Sequence, residues 1–232
     1  MKSKLLIIMV LSLIYCGNTY SQNQQIKRSF VDKDWNINKV YYKATGAKVS
    51  ESDFYKINQE HPRLHLEREI DEEGHVMRYL YDPNNQTVSD KPNLLTNIPE
   101  KGTVPNFKLT AIDGKKIELA NLQGKLVILR FEQGASDFRF KKNEIADLDK
   151  KINSLKNKDN VEAIIIFQCP EDEIRKGFDL KDSNFKLIPN GQNFAIKYDV
   201  HFYPSTLLID QSGKLIKVYF NSEDINLDQY IK

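Results

Sequence analysis

The chain has 232 residues, with 34 Lys and Arg against 32 Asp and Glu. That length suits one ordinary domain and an appendage, and a balance this near neutral argues against a nucleic-acid face or an electrostatic membrane patch. Its two cysteines, Cys16 and Cys169, are too few for a disulfide framework or a cysteine-based zinc site.

Residues 1–21 read as an export signal. Lys2 and Lys4 give a positive start, and Leu5 to Ile14 is apolar apart from Ser12. Thr19-Tyr20-Ser21 then puts small residues at the two positions a signal peptidase inspects. The apolar run is too short to remain as a bilayer anchor. A rival cut before Cys16 would leave a lipid-anchored protein, but Tyr15 is bulky where such processing needs a small residue. Plain cleavage is therefore expected, with a periplasmic or extracellular product and no transmembrane segment in the mature chain. Loss of Lys2 and Lys4 brings the cations from 34 to 32, equal to the 32 anions, and leaves Cys169 as the sole thiol.

Residues 22–100 predict a small α+β lobe and a linker. Strand-like runs occupy 39–44, 63–70 and 76–82, and Glu73-Gly74 is placed to close a hairpin between the last two. Residues 50–58 predict a short helix capped by Ser50 or Ser52. The stretch 83–105 is polar and holds four of the eight prolines, which is linker composition.

Residues 101–232 predict a second, larger domain. Residues 106–119 form two alternating runs joined at Asp113-Gly114, a hairpin signal. "KLVILRF" at 125–131 reads as a continuous apolar strand. A helix is predicted from Phe138 to about Lys156, with Ile145, Leu148, Ile152 and Leu155 on one face and Ser136 or Asp137 as cap. A second buried strand follows at 162–167, then a helix at 170–178, a strand at 185–188 and a helix at 191–200. A strand, turn and strand span 205–220, and a helix is expected at 225–231. This order implies a mixed sheet with helices on both faces.

Two stretches carry a resemblance. "VPNFKLTAIDGKKIELANLQGKLVILRF" (104–131) resembles the opening of a redoxin domain. "YDVHFYPSTLLIDQSGKLIKVYF" (198–220) resembles the ending of TlpA-like and peroxiredoxin-like (AhpC/TSA-like) members of the thioredoxin superfamily. The matching positions are Tyr198, Val200, Pro204, Leu207-Leu208-Ile209, Asp210 and Gly213-Lys214. The resemblance implies a thioredoxin-like α/β three-layer sandwich over 101–232, preceded by the small α+β lobe. It also implies a cis bond before Pro204, with Tyr203 offering backbone groups to a bound peptide.

Family members place Cys-x-x-Cys, or one peroxidatic cysteine, just after the first central strand. Counting from Phe131, that place is Ser136 to Arg139; counting back from Glu144, it is Phe138 to Lys141. Neither frame contains a cysteine. A serine hydroxyl cannot replace a thiol in disulfide exchange, because it barely ionises at neutral pH and forms no exchangeable bond. Ser136 is read as a helix cap. Cys169, at the end of the second central strand, is the weak catalytic candidate; its alternative is a small semi-buried core thiol.

The remaining chemistry is sparse. His61 and His65 are four apart near Glu60 and Glu67, but Pro62 breaks the helical geometry that would pair them on a metal, and none is expected. His75 adjoins a turn and His201 lies in the Pro204 loop. No motif supports a nucleotide, flavin or haem, so no cofactor is expected. Two functions compete. One is a non-catalytic module that binds a peptide or protein partner in the cell envelope through Phe138, Phe202, Tyr203 and Pro204. The other is a divergent one-cysteine thiol oxidoreductase or peroxidase using Cys169.

Overall fold

The computed structural model describes residues 35–61, 64–86, 96–136 and 140–231. Three sheets organise them. The first joins β1 (Val40–Tyr42), β2 (Glu67–Ile70) and β3 (Val76–Tyr81) in the order β1-β3-β2, with β1 parallel and β2 antiparallel to β3. Helix α1 (Glu51–Glu60) covers it. Ser50 caps α1, its hydroxyl accepting from the Asp53 N–H at 3.0 Å. Strand β2 is shorter than the alternation suggests: residues 64–66 carry no strand pairing. Gly74 turns the β2–β3 hairpin at φ +86°, a region where a side chain is strained.

The second sheet is a two-stranded hairpin, β4 (Lys108–Thr110) and β5 (Lys116–Glu118), turned at Gly114. The third is the centre of the molecule. It contains β6 (Leu126–Glu132), β7 (Val161–Phe167), β8 (Phe185–Ile188), β9 (Ser205–Ile209) and β10 (Leu215–Tyr219), in the order β10-β9-β6-β7-β8. Strands β6, β7 and β8 run parallel. Strand β9 is antiparallel to β6, and β10 is antiparallel to β9. Strand β6 is the middle one, buried over its whole length.

Alternation along β6 divides the core into two layers. Val127, Leu129 and Phe131 face a cluster built from the β4–β5 hairpin and from Phe194 and Ala195 of α4 (Gln192–Lys197). Leu126 and Ile128 face Ile145, Leu148 and Ile152 of α2 (Lys142–Ser154) and Ile174 of α3 (Glu171–Gly177). The result is a three-layer α/β fold with a mixed sheet.

Two predicted helices differ from what forms. Helix α2 begins at Lys142, not Phe138, and its cap position, Lys141, makes no side-chain capping bond. Ser136 is therefore not its cap. The Ser136 hydroxyl instead donates to Glu173 Oε1 at 2.9 Å, and Asp137 lies outside the described residues. Residues 225–231 form no α-helix, only a 3-10 turn at Leu227–Gln229 whose start Asn226 caps. The buried residues of this segment, Ile225 and Leu227, are two apart, a spacing that no single face of an α-helix can bury.

The hairpin tip at 71–75 is seated on the larger part of the fold. Lys197 Nζ donates to the Asp71 carbonyl at 2.7 Å, Asn193 Nδ2 to the Gly74 carbonyl at 2.9 Å, and the Lys108 N–H to the Glu72 carbonyl at 2.7 Å. Gly74 lies so close to the Phe194 ring that an added Cβ would come within 2.6 Å of it.

Candidate functional site

The carboxyl ends of β6 and β7 and the start of β9 meet at one rim, because β6 and β7 are parallel and β9 runs the other way. Phe131 pairs with Ser205, and Glu132 with Phe167. In an open α/β sheet this is the rim at which ligands are ordinarily held.

Pro204 lies at the head of β9 and is buried. The Tyr203–Pro204 peptide is cis. Tyr203 is half-buried. Its hydroxyl donates to the Val200 carbonyl at 3.1 Å and accepts from the Gln168 side-chain amide, and burial pushes the phenol up to about 12. Gln168 follows β7 directly, so its amide joins the two loops across the rim. Phe202 is different: it is 49% exposed. Its ring stands edge-on to Phe220, centroids 5.8 Å apart, and Phe220 is itself 39% exposed. Phe138, the third aromatic expected here, lies outside the described residues.

Cys169 is more deeply placed than a semi-buried thiol, with 2% of its surface exposed. Burial pushes the thiol up to about 11. A hydrogen bond from the Ala135 N–H works the other way, and the Glu173 carboxylate adds to the rise. The thiolate needed for nucleophilic attack is thus scarce at neutral pH.

Beneath the rim lies a cluster absent from the sequence expectations. Arg130 is fully buried. Its Nε donates to Glu132 Oε1 at 2.7 Å, its Nη2 to Glu144 Oε2 at 3.0 Å and its Nη1 to Thr206 Oγ1 at 3.4 Å. Glu144 also meets Lys141 Nζ at 2.8 Å. Burial pushes the Glu132 carboxyl up to about 7 despite the neighbouring guanidinium. Burial works on Glu144 too, but hydrogen bonds and charge from Lys141 and Arg130 outweigh it and hold that carboxyl below its ordinary value. The available signal is the Arg inside "KLVILRF": a cation within an apolar run needs a buried partner, and Glu132 at i+2 shares its face. Among the described residues, no group of three His, Cys, Asp or Glu is arranged to hold a metal ion.

The sequence profile of the AhpC/TSA family matches residues 101–218. The chain belongs to the AhpC/TSA family. The matched span holds the whole rim and the sheet from β6 to β10 apart from the last residue of β10, and the topology is that of a thioredoxin-superfamily redoxin domain of the TlpA-like kind. A curated relative, thiol-disulfide oxidoreductase ResA of Bacillus cereus, is 33% identical over 116 residues, which is 49% of this chain and 65% of that protein, just under two thirds of its length. A Bacteroides thetaiotaomicron protein assigned as a protein disulfide isomerase is 25% identical, with a TM-score of 0.47 over 56% of this chain and 85% of that one. The thioredoxin domain of a thiol-disulfide oxidoreductase from Bacteroides vulgatus is 20% identical, with a TM-score of 0.47 over 55% and 92%. Within this AhpC/TSA chain no cysteine lies between Glu132 and Glu144. No helix among the described residues is long and apolar enough to cross a membrane.

Proposed function

We propose that this protein is an exported redoxin-fold binding module of the cell envelope, one that holds a peptide or protein partner at the β6–β7–β9 rim without exchanging disulfides. Residues 1–21 are its export signal, 22–100 its accessory lobe and linker, and 101–232 its redoxin domain. The reading is carried by one contrast. The only thiol beyond Cys16 is buried and hard to ionise, whereas the loop before Pro204 presents Phe202 to solvent beside Phe220. Aromatic rings at an exposed edge supply large contact area at low cost in side-chain entropy. Exchange also needs a second thiol to release the mixed disulfide, and Cys169 is the one cysteine among the described residues.

The test is insulin reduction with dithiothreitol as electron source, run beside Cys169→Ser. No turnover above the protein-free control is expected. Turnover that disappears in the variant would replace this reading with a one-cysteine oxidoreductase. The binding half is tested by capture from envelope extracts: a partner held by the wild type and released by Phe202→Ala supports it, and equal capture by both proteins removes the rim from the account.

A further inference from the structure

We propose that Arg130, Glu132 and Glu144 form a proton-operated latch between the central strand and the first turn of α2. This goes beyond the binding reading and does not depend on it. The geometry is a count of charges. One buried guanidinium meets two carboxylates, at 2.7 Å and 3.0 Å. With both ionised, the buried group carries one excess negative charge. Such a charge, taken from water and left unmatched, is costly.

Among the described residues the only further cation acting on Glu132 is Lys141, whose charge lowers that carboxyl without offsetting its burial. Strand β9 (Ser205–Ile209) has no charged residue. The charge on β7, Glu162, lies opposite Val127 at the far end of β6 and is paired with Lys125. From α2 comes only Glu144, of like sign. Lys141 is half-exposed and directs its charge to Glu144 at 2.8 Å. On α3, the near acid Glu173 is turned to Ser136 and Cys169.

The excess has two ways out. Glu132 can take a proton, which leaves Arg130 and Glu144 as a matched pair binding β6 to α2. Or Glu144, which already reaches solvent with 14% of its side chain, can swing outward with Lys141 and take the first turn of α2 with it. Glu144 stays ionised in either case, because its carboxyl is held low, while Glu132 is the group pushed up to about 7. The latch is closed when the proton is bound and loosens as pH rises past neutrality.

Three measurements on the purified protein test this. By carbon-detected titration, the Glu132 carboxyl should have its midpoint near 7. In Glu144→Gln, which removes the like charge, that midpoint should fall by about one unit or more. In urea, the unfolding constant of the wild type relative to Glu132→Gln should rise about tenfold per pH unit between pH 5 and 7. Amide protection at Ile145–Leu148, corrected for intrinsic exchange, should drop above pH 7 in the wild type and not in Glu132→Gln. A wild-type midpoint at the ordinary 4.5, or one unmoved by Glu144→Gln, overturns the proposal. So does protection that falls equally in both proteins, since that would make the cluster a static ion group. If Glu132→Gln does not fold, the titrations of the wild type and of Glu144→Gln still decide.

Discussion

The two faces of β6 are equally dry but are held by different forces. On one, Val127, Leu129 and Phe131 pack against the β4–β5 hairpin and α4. The contact there is apolar, so the attraction is non-directional and indifferent to pH. On the other, Leu126 and Ile128 give way toward the rim to Arg130 and Glu132, and Glu144 completes the contact with α2. That face depends on a particular geometry and a particular proton count. An apolar face loses stability in proportion to the atoms removed; a buried ionic face loses most when one partner goes and its mate stays behind.

The largest expected effect follows directly. Arg130→Met leaves the buried Glu132 carboxylate without its partner and Glu144 with Lys141 alone, and should cost about 4 kcal/mol at pH 7.5, measured by urea unfolding. It should cost distinctly less at pH 5, where both carboxyls are nearer protonation. Leu129→Ala, on the apolar face, should cost about 3 kcal/mol and the same at both pH values. If the two variants share one pH profile, the contrast between the faces is wrong.

The wild type itself sharpens the point. Glu132 titrates near 4.5 when unfolded and near 7 when folded. Its contribution to stability is fully present below 4.5 and is lost as pH rises to 7. The shift corresponds to roughly 3 kcal/mol. Glu144, whose carboxyl is lowered in the folded state, contributes stability that is present above 4.5 and is lost only as pH falls below it, so it leaves the window from 5 to 7 to Glu132. A net decline in unfolding free energy from pH 5 to 7 is expected from urea curves. A net rise would show that the Glu132 carboxyl is not raised in the folded protein.

Gly191→Ala probes the apolar face by overfilling it. A Cβ there would fall 1.9 Å from Ile166 Cγ2 and 3.1 Å from the Phe167 carbonyl, so about 2 kcal/mol should be lost, again without pH dependence. The smallest effect belongs to neither face. Phe202→Ala removes a half-exposed ring and should change stability by less than about 0.5 kcal/mol in a thermal melt, so any loss of partner binding is read without a folding defect.

Much of this fold is legible in the sequence because its elements announce themselves by period. The unbroken apolar run at 162–167 and the three- and four-residue spacing of Ile145, Leu148 and Ile152 each fix which side faces inward. Gly74, Gly114 and Gly213 mark their turns, each at a positive φ. The start of α2 is less legible, since Ser136 satisfies the cap chemistry yet finds Glu173 as its partner, a residue thirty-seven positions away. The ionic cluster is hidden for the same reason. Arg130, Glu132, Glu144 and Thr206 come from two strands and a helix, and no local pattern records that they converge. Phe220 escapes notice as the neighbour of Phe202 because strand periodicity says nothing of rings meeting past a strand's end.

The seating of the hairpin tip has a consequence for how such chains diversify. The composition divides near residue 100, yet the joint runs through Asp71 to Gly74, where Lys197, Asn193 and the Lys108 N–H hold backbone carbonyls and Phe194 closes over a glycine. Backbone groups carry no residue identity, so most of the tip can drift in sequence while the joint persists. The glycine and the two donating side chains cannot. A shuffling event that cut at the linker and brought in a different accessory lobe would uncover the side of Phe194 that faces Gly74, and would remove one acceptor each from Lys197, Asn193 and the Lys108 N–H. On the proposed division at the linker, a graft would have to carry its own glycine to the same spot.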